Sequence, residues 1–173
     1  MKDDISERRE SRSAKPDGPA GTGRAARYAL ALLRVTLGVL FVWVFFENKG
    51  KGLYTPGGYA GLIGYYISAG TAPAAWKSVM NFAANHADIF GPIQAVTEIS
   101  FGITLVIGLL TRLVALGAFF FLTSLWVSEW GTAWIWELLV PMIVALALAI
   151  ASAGRDYGAD FLLSKKYPGL PLW

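Results

Sequence analysis

Long apolar runs alternate with short polar breaks along most of this chain. The first, YALALLRVTLGVLFVWVFF, covers residues 28–46, and three more follow at about 92–111, 113–129 and 133–153. A helix that spans a bilayer needs about 20 apolar residues, with a range of roughly 17–25. The pattern therefore predicts four transmembrane helices. The first run follows basic residues as a signal peptide would, but it is long for one. ENKGKG comes after it rather than a small-residue cleavage site, so it reads as a retained span. The Thr111-Arg112 corner leaves almost no loop, which predicts a tight hairpin of the second and third spans.

The segments between and around the runs have a different texture. Residues 47–91 form an outer segment whose second part, PAAWKSVMNFAANHADIFG, is amphipathic at helical spacing. Trp76, Met80, Ala83 and Ala87 share one face, and Lys77, Asn81, Asn85 and Asp88 lie on the other. Two placements suit such a helix: on the bilayer surface, or packed on the protein itself. Residues 1–24 are polar and rich in Gly, Pro and Ser, so residues 1–27 are expected to be a disordered arm. Residues 161–173 form a tail, and 28–160 the membrane domain. The expected fold class is an all-α integral membrane protein: a four-transmembrane-helix bundle with an amphipathic outer loop segment between spans 1 and 2.

Composition strengthens this picture. Hydrophobic residues make up 55% of the 173 and charged residues 16%, where soluble domains carry about 25% charge. Of the 15 Lys and Arg, seven crowd into residues 1–27. That arm, the 111–112 corner and the tail after residue 154 hold most of the basic residues, whereas the 47–91 segment has Lys49, Lys51 and Lys77. By the positive-inside rule both termini are cytoplasmic and the 47–91 segment faces outward. Trp126, Trp130, Trp134 and Trp136 cluster around the turn on that same outer side, as an interfacial belt does. The basic excess is thus a topology signal, and no nucleic-acid partner is expected. With no cysteine and one histidine, His86, the chain has no disulfide, no thiolate metal site and no bis-histidine haem ligation. His86 is expected to be a solvated or capping residue of the outer segment.

Charges inside the apolar runs are the candidates for chemistry, because ionisable groups in a span face a bundle interior or a wet cavity. Glu98 is expected roughly 9 Å into the second span at 1.5 Å per residue, and Glu137 at similar depth in the fourth. Glu47 and Glu129 end the first and third. Glu98, Gly102, Leu105 and Leu109 form one stripe; Ser100, Thr104, Gly108 and Thr111 form a small-residue stripe on nearly the opposite face, suited to a second helix contact. Pro141, four residues after Glu137, deprives the Glu137 carbonyl of its helical donor. Arg34 lies about six residues from the cytoplasmic end of the first span. Its partner is either Glu98 or one of Asp156 and Asp160 in the tail, the tail being favoured because snorkelling and pairing then act in one direction.

Three pieces carry a resemblance to a known family: LLRVTLGVLFVWVFFENKG (Arg34, Gly38, Phe41, Lys49), TEISFGITLVIGLLTRLVAL (Glu98, Gly102, Gly108, Thr111, Arg112) and WELLVPMIVALALAIASAGRDYGAD (Glu137, Gly154, Gly158, Asp160). In this order and spacing the chain resembles the DoxX/DoxD membrane proteins over roughly residues 28–160. DoxD is known as the small subunit of thiosulfate:quinone oxidoreductase. The resemblance implies a four-helix bundle in the plasma membrane of a prokaryote, associated with sulfur chemistry and quinones, alongside membrane lipid and a second protein subunit or further copies of itself. On that reading Glu98 and Glu137, with Arg34, are the candidate proton-handling residues, and Trp130, Trp134 and Trp136 the candidate lining of a quinone site. Two other readings stand beside it: a non-catalytic scaffold or anchor for a redox partner, and a small-solute carrier, for which four spans are few.

Overall fold

A computed structural model describes residues 22–151, 153 and 157–167. The described residues form helices and connecting turns, with no strand among them. In chain order the helices are α1 (Thr22–Gly50), α2 (Pro56–Ala69), α3 (Ala74–Asn85), α4 (Ala87–Ile107), α5 (Thr111–Ser128), α6 (Ile135–Ala151) and α7 (Ala159–Lys166).

Three of them, α1, α4 and α5, are long and apolar enough to cross a membrane, and α6 is a shorter apolar helix of 17 residues. Their outward faces carry bare apolar side chains: Leu32, Val39 and Trp43 on α1, Ile103 on α4, Phe120 on α5 and Ile150 on α6. Such a surface suits lipid, where helices satisfy their own backbone groups. The chain is a helical membrane protein.

The expected boundaries shift for local reasons. The helix expected at 28–46 runs from Thr22 to Gly50, so residues 22–27 of the expected disordered arm are helical; residues 1–21 lie outside the described residues. α4 begins at Ala87 and carries Pro92 within it, which the expected start at 92 excluded. Its end is at Ile107, because Gly108 (φ 73°) and Leu110 (φ 49°) turn left-handed. The corner is therefore residues 108–110, and Thr111 and Arg112 open α5.

α1, α4, α5 and α6 form a four-helix bundle built from two closely packed pairs, α1 with α4 and α5 with α6. In the first pair the backbones touch at Gly38 and Gly102: a methyl on Gly102 would lie 2.6 Å from Val42 Cγ2. The second pair approaches over Ala115, Ala118, Ala145 and Ala149, all buried. Small residues permit such approach where packing rather than hydrophobicity drives association. Phe41, Phe101 and Phe121 join the pairs, with Phe101 edge-on to both others. The contact surface of α4 is thus the Glu98–Gly102–Leu105 stripe, all buried. The opposite small-residue stripe divides: Ser100 is exposed and Thr104 Oγ1 donates back to the Ser100 carbonyl at 2.6 Å, while Gly108 and Thr111 are buried at the corner.

At one end α2 and α3 form a cap. Thr55 caps α2 by accepting from the Gly58 amide at 3.2 Å, and Pro56 occupies its first turn. The expected apolar face of α3 does exist, but it covers α2: Met80 clusters with Tyr59, Ile63 and Ala87. Of the two placements open from the sequence, packing on protein is the one seen. Lys77, assigned to the free polar face, instead donates to the Ile67 and Gly70 carbonyls, both at 2.8 Å, closing the C-terminus of α2. Trp76 Nε1 donates to Ser128 Oγ at 2.9 Å, and the Thr71 amide donates to the Trp130 carbonyl at 2.7 Å. These two bonds seat the cap on the α5–α6 turn.

Candidate functional site

Glu98 is the best-defined polar site in the bundle. It is the twelfth of the 21 residues of α4 and 1% exposed. Because α4 starts at Ala87, this is mid-helix rather than near its end. Three neutral donors hold the carboxylate. Asn48 Nδ2 donates to Oε2 at 3.2 Å, the Tyr54 hydroxyl donates to the same oxygen, and Gln94 Nε2 donates to Oε1 at 2.7 Å. Among the described residues no basic side chain forms an ion pair with it; the ion pair they contain is Lys51–Glu47 at 2.6 Å, exposed. A carboxylate ringed by donors only is an acceptor with lone-pair capacity still unused.

Each donor has a structural reason to be there. Asn48 sits in the last turn of α1, which the Gly38–Gly102 contact holds against α4. Tyr54 belongs to the 51–55 turn, its ring stacked on Phe45 at 5.6 Å. Gly91 lets that turn close on α4, since a methyl there would lie 2.7 Å from the Tyr54 carbonyl oxygen. Gln94 is one helical turn before Glu98, the i, i+4 geometry that brings two side chains together. None of the three was singled out in the sequence. The QAVTE spacing was a usable signal for Gln94; Tyr54 and Asn48 are separated from Glu98 by the whole cap.

Beside the carboxylate, a cavity of about 130 Å³ lies between the four bundle helices, bounded by Leu40, Phe41 and Val44 of α1, Phe121, Leu122 and Leu125 of α5, and Glu137, Leu138 and Pro141 of α6. Glu98 and Glu137 both line it, so the structure brings these two expected residues together. They are not equivalent, as equal depth implied. Glu137 is the third residue of α6 and exposed, a rim group, while Glu98 is an interior one. A second hollow of about 270 Å³ lies under the cap, with Gln94 on its wall and Phe121 and Leu125 shared with the first.

The tryptophans stand apart from this cavity. Trp130 and Trp134, with Trp126 and Glu129, line a separate hollow of about 210 Å³ at the α5–α6 turn. Trp136 does not line it; its ring stacks on Trp134 at 5.3 Å. Glu129, just beyond α5, accepts from the Tyr66 hydroxyl at 2.9 Å. Burial pushes its carboxyl above the usual range, the Tyr66 bond opposes this and nearby Glu137 adds to it.

Arg34 lies at the far end of the bundle from Glu98. It is 2% exposed and donates to the Tyr157 carbonyl at 3.0 Å and the Ala153 carbonyl at 3.5 Å. Asn48, which reaches Glu98, is 14 residues further along α1 (48 − 34), a rise of roughly 21 Å. Pairing of Arg34 with Glu98 is thereby ruled out, and the tail-ward direction holds. Asp160, one of the two tail partners considered, does something else. Fully buried, it accepts from the Leu110 amide at 2.6 Å and the Thr111 amide at 2.8 Å, capping α5 across 49 residues of chain. Asp156 lies outside the described residues. Gly108 serves both groups: its φ of 73° makes the corner, and a methyl there would lie 2.2 Å from Arg34 Nη1. His86 caps as expected, joining α3 to α4 with its Nδ1 2.9 Å from the Phe82 carbonyl oxygen.

A family model described as the TQO small subunit DoxD matches residues 29–170. The chain belongs to the DoxD family. Comparison with curated proteins gave no match, and comparison with solved structures gave none. The DoxD match takes in all four bundle helices, both cap helices and the tail helix that carries Asp160.

Proposed function

We propose that this DoxD protein is the membrane subunit of a quinone-linked oxidoreductase, and that the cavity beside Glu98 takes the quinone ring. The observation that carries the reading is that cavity itself, about 130 Å³, apolar on three helices and acidic at Glu98 and Glu137. An apolar cavity of about 150 Å³ takes up a benzene ring, so a single quinone ring is of the right size. A bound quinone supplies the two-electron, two-proton chemistry. The chain's part is to hold the ring among Phe41, Phe121 and Leu122, exclude water, and exchange protons at Glu98 Oε1 and Oε2. Trp130 and Trp134, lining a different hollow, suit a membrane-interface role better than ring binding, and Arg34 a structural one.

The proposal extends to placement. α6 crosses with α1, α4 and α5 to give four spans, both termini are cytoplasmic, and the cap faces outward from a prokaryotic plasma membrane. The family description names a small subunit, which supports a second subunit that brings the sulfur substrate, thiosulfate or a relative of it. That description equally favours the scaffold reading, in which this chain only seats its partner. The test is thiosulfate-dependent reduction of a short-chain quinone by membranes carrying the chain and its partner. The proposal expects Glu98→Gln to lower the rate by about a hundredfold, the scale of acid–base contributions. Full activity in Glu98→Gln, with the partner still bound, favours the scaffold.

A further inference from the structure

The three groups on Glu98 differ in one chemical respect. The amides of Asn48 and Gln94 donate hydrogen bonds but do not pass protons on, because that would require an imidic acid. The Tyr54 phenol both gives a proton and accepts one on the same oxygen. Glu98 itself is 1% exposed, whereas Tyr54, in the 51–55 turn, is only half-buried. Phe45 stacks on its ring and Gly91 fits beneath its backbone, so the phenol is held in one orientation.

From this geometry we infer that Tyr54 is the proton-exchange residue of the site, carrying protons between solvent at the cap end and Glu98. It acts through Glu98 rather than on a ligand. In the inward step the Tyr54 hydroxyl gives its proton to Glu98 Oε2 while the phenolic oxygen takes one from hydronium in the solvent, which is left as water. Tyr54 ends neutral, and one proton has entered. Release is the reverse. Asn48 and Gln94 fix the carboxylate so that Oε2 meets the phenol. Burial, with the Glu98 carboxylate second, pushes the phenol's pKa up and disfavours a phenolate, so giving and taking a proton must occur together on the phenolic oxygen. Tyr54 stands at the end of the bundle away from Arg34 and Asp160, in the turn that leads into the cap. On the orientation proposed above, protons would therefore enter and leave on the outer side.

This deepens the reading of Glu98 as a proton-handling group and is tested without quinone. The full chain is placed in lipid nanodiscs, and hydrogen–deuterium exchange of the Glu98 carboxyl band is followed by infrared spectroscopy in acid. Loss of the band in Glu98→Gln assigns it. Tyr54→Phe keeps the ring and its stack on Phe45, and exchange should slow by about a hundredfold. Tyr54→His, which restores a group able to give and accept, should bring it most of the way back. Lys51→Ala, which changes an exposed group of the same turn and none of the bonds to Glu98, should leave the rate near wild type. Wild-type exchange in Tyr54→Phe, or equal slowing in Lys51→Ala, would overturn the inference. A chain inactive towards quinone that still shows the Tyr54→Phe slowing would sink the quinone reading and leave this one standing.

Discussion

Placing a methyl group on Gly102 tests the contact on which the Glu98 site depends. An alanine Cβ there would sit 2.6 Å from Val42 Cγ2, 3.0 Å from the Val42 amide nitrogen and 3.1 Å from the Gly38 carbonyl oxygen. Two of those three atoms are backbone, so a side-chain rotation at Val42 relieves only one clash. Reaching ordinary contact at about 3.5–4.0 Å requires α1 and α4 to part by the better part of an ångström. Overpacking of this kind costs about 1–3 kcal/mol. The Asn48–Glu98 bond, at 3.2 Å, has little length to give and would break, adding about 1 kcal/mol. The expected loss is thus about 2–4 kcal/mol, or roughly 5–15 °C in melting temperature for a chain of this size. Thermal unfolding in detergent micelles, followed by tryptophan fluorescence, measures it. Gly61, on α2 with open space around it, is the control: alanine there should be neutral or stabilise by up to about 1 kcal/mol. A Gly102→Ala protein that melts with the wild type, or a Gly61→Ala protein that falls as far, would refute the argument that these helices are held by backbone contact.

Other substitutions probe the remaining features. Asp160→Ala leaves two buried amides without an acceptor and should cost about 1–3 kcal/mol, with Asp160→Asn milder; the same melts report it. Val44→Phe should fill the cavity beside Glu98 and abolish binding of a short-chain quinone, measured by calorimetry, while the melting temperature changes little. For Glu129 the sign follows from burial. Its folded pKa is raised, so the stability it contributes is present in acid and is lost as pH rises from the usual carboxylate value through the folded one. Glu129→Gln should therefore gain on the wild type from acid to neutral pH, and a constant difference in melting temperature across that range would contradict it. Tyr66→Phe, which removes the opposing hydrogen bond, should raise the Glu129 pKa further, as carboxyl NMR titration would show.

Much of the architecture was legible in the sequence because lipid imposes a simple rule: long apolar runs become helices. The stripe that includes Glu98 and Gly102 was legible for the same reason, since helical spacing fixes which residues share a face. What the pattern did not reveal was how an end is closed. The α4 terminus depends on Gly108 and Leu110 turning left-handed, and an apolar Leu110 gives no hint of that. Opposed stripes on α4 looked equally suited to contact, yet Thr104 satisfies its hydroxyl on its own helix and needs no partner. The α2 helix was hidden among glycines and tyrosines that read as loop. Its stability comes from Thr55, Pro56 and Lys77 at its ends and from α3 across its face, and no local propensity reports those. Glu98 itself was found because a carboxylate in an apolar run is conspicuous; Tyr54, neutral and placed in a turn, was not.

The Asp160 cap also bears on how the molecule is made. The amides at the start of α5 find their acceptor only in a residue 49 positions later, beyond α6. During synthesis α5 and α6 are both made before that acceptor exists, so the corner stays open until residue 160 has followed them. The order of the chain thus makes closing this corner a later event than pairing α5 with α6.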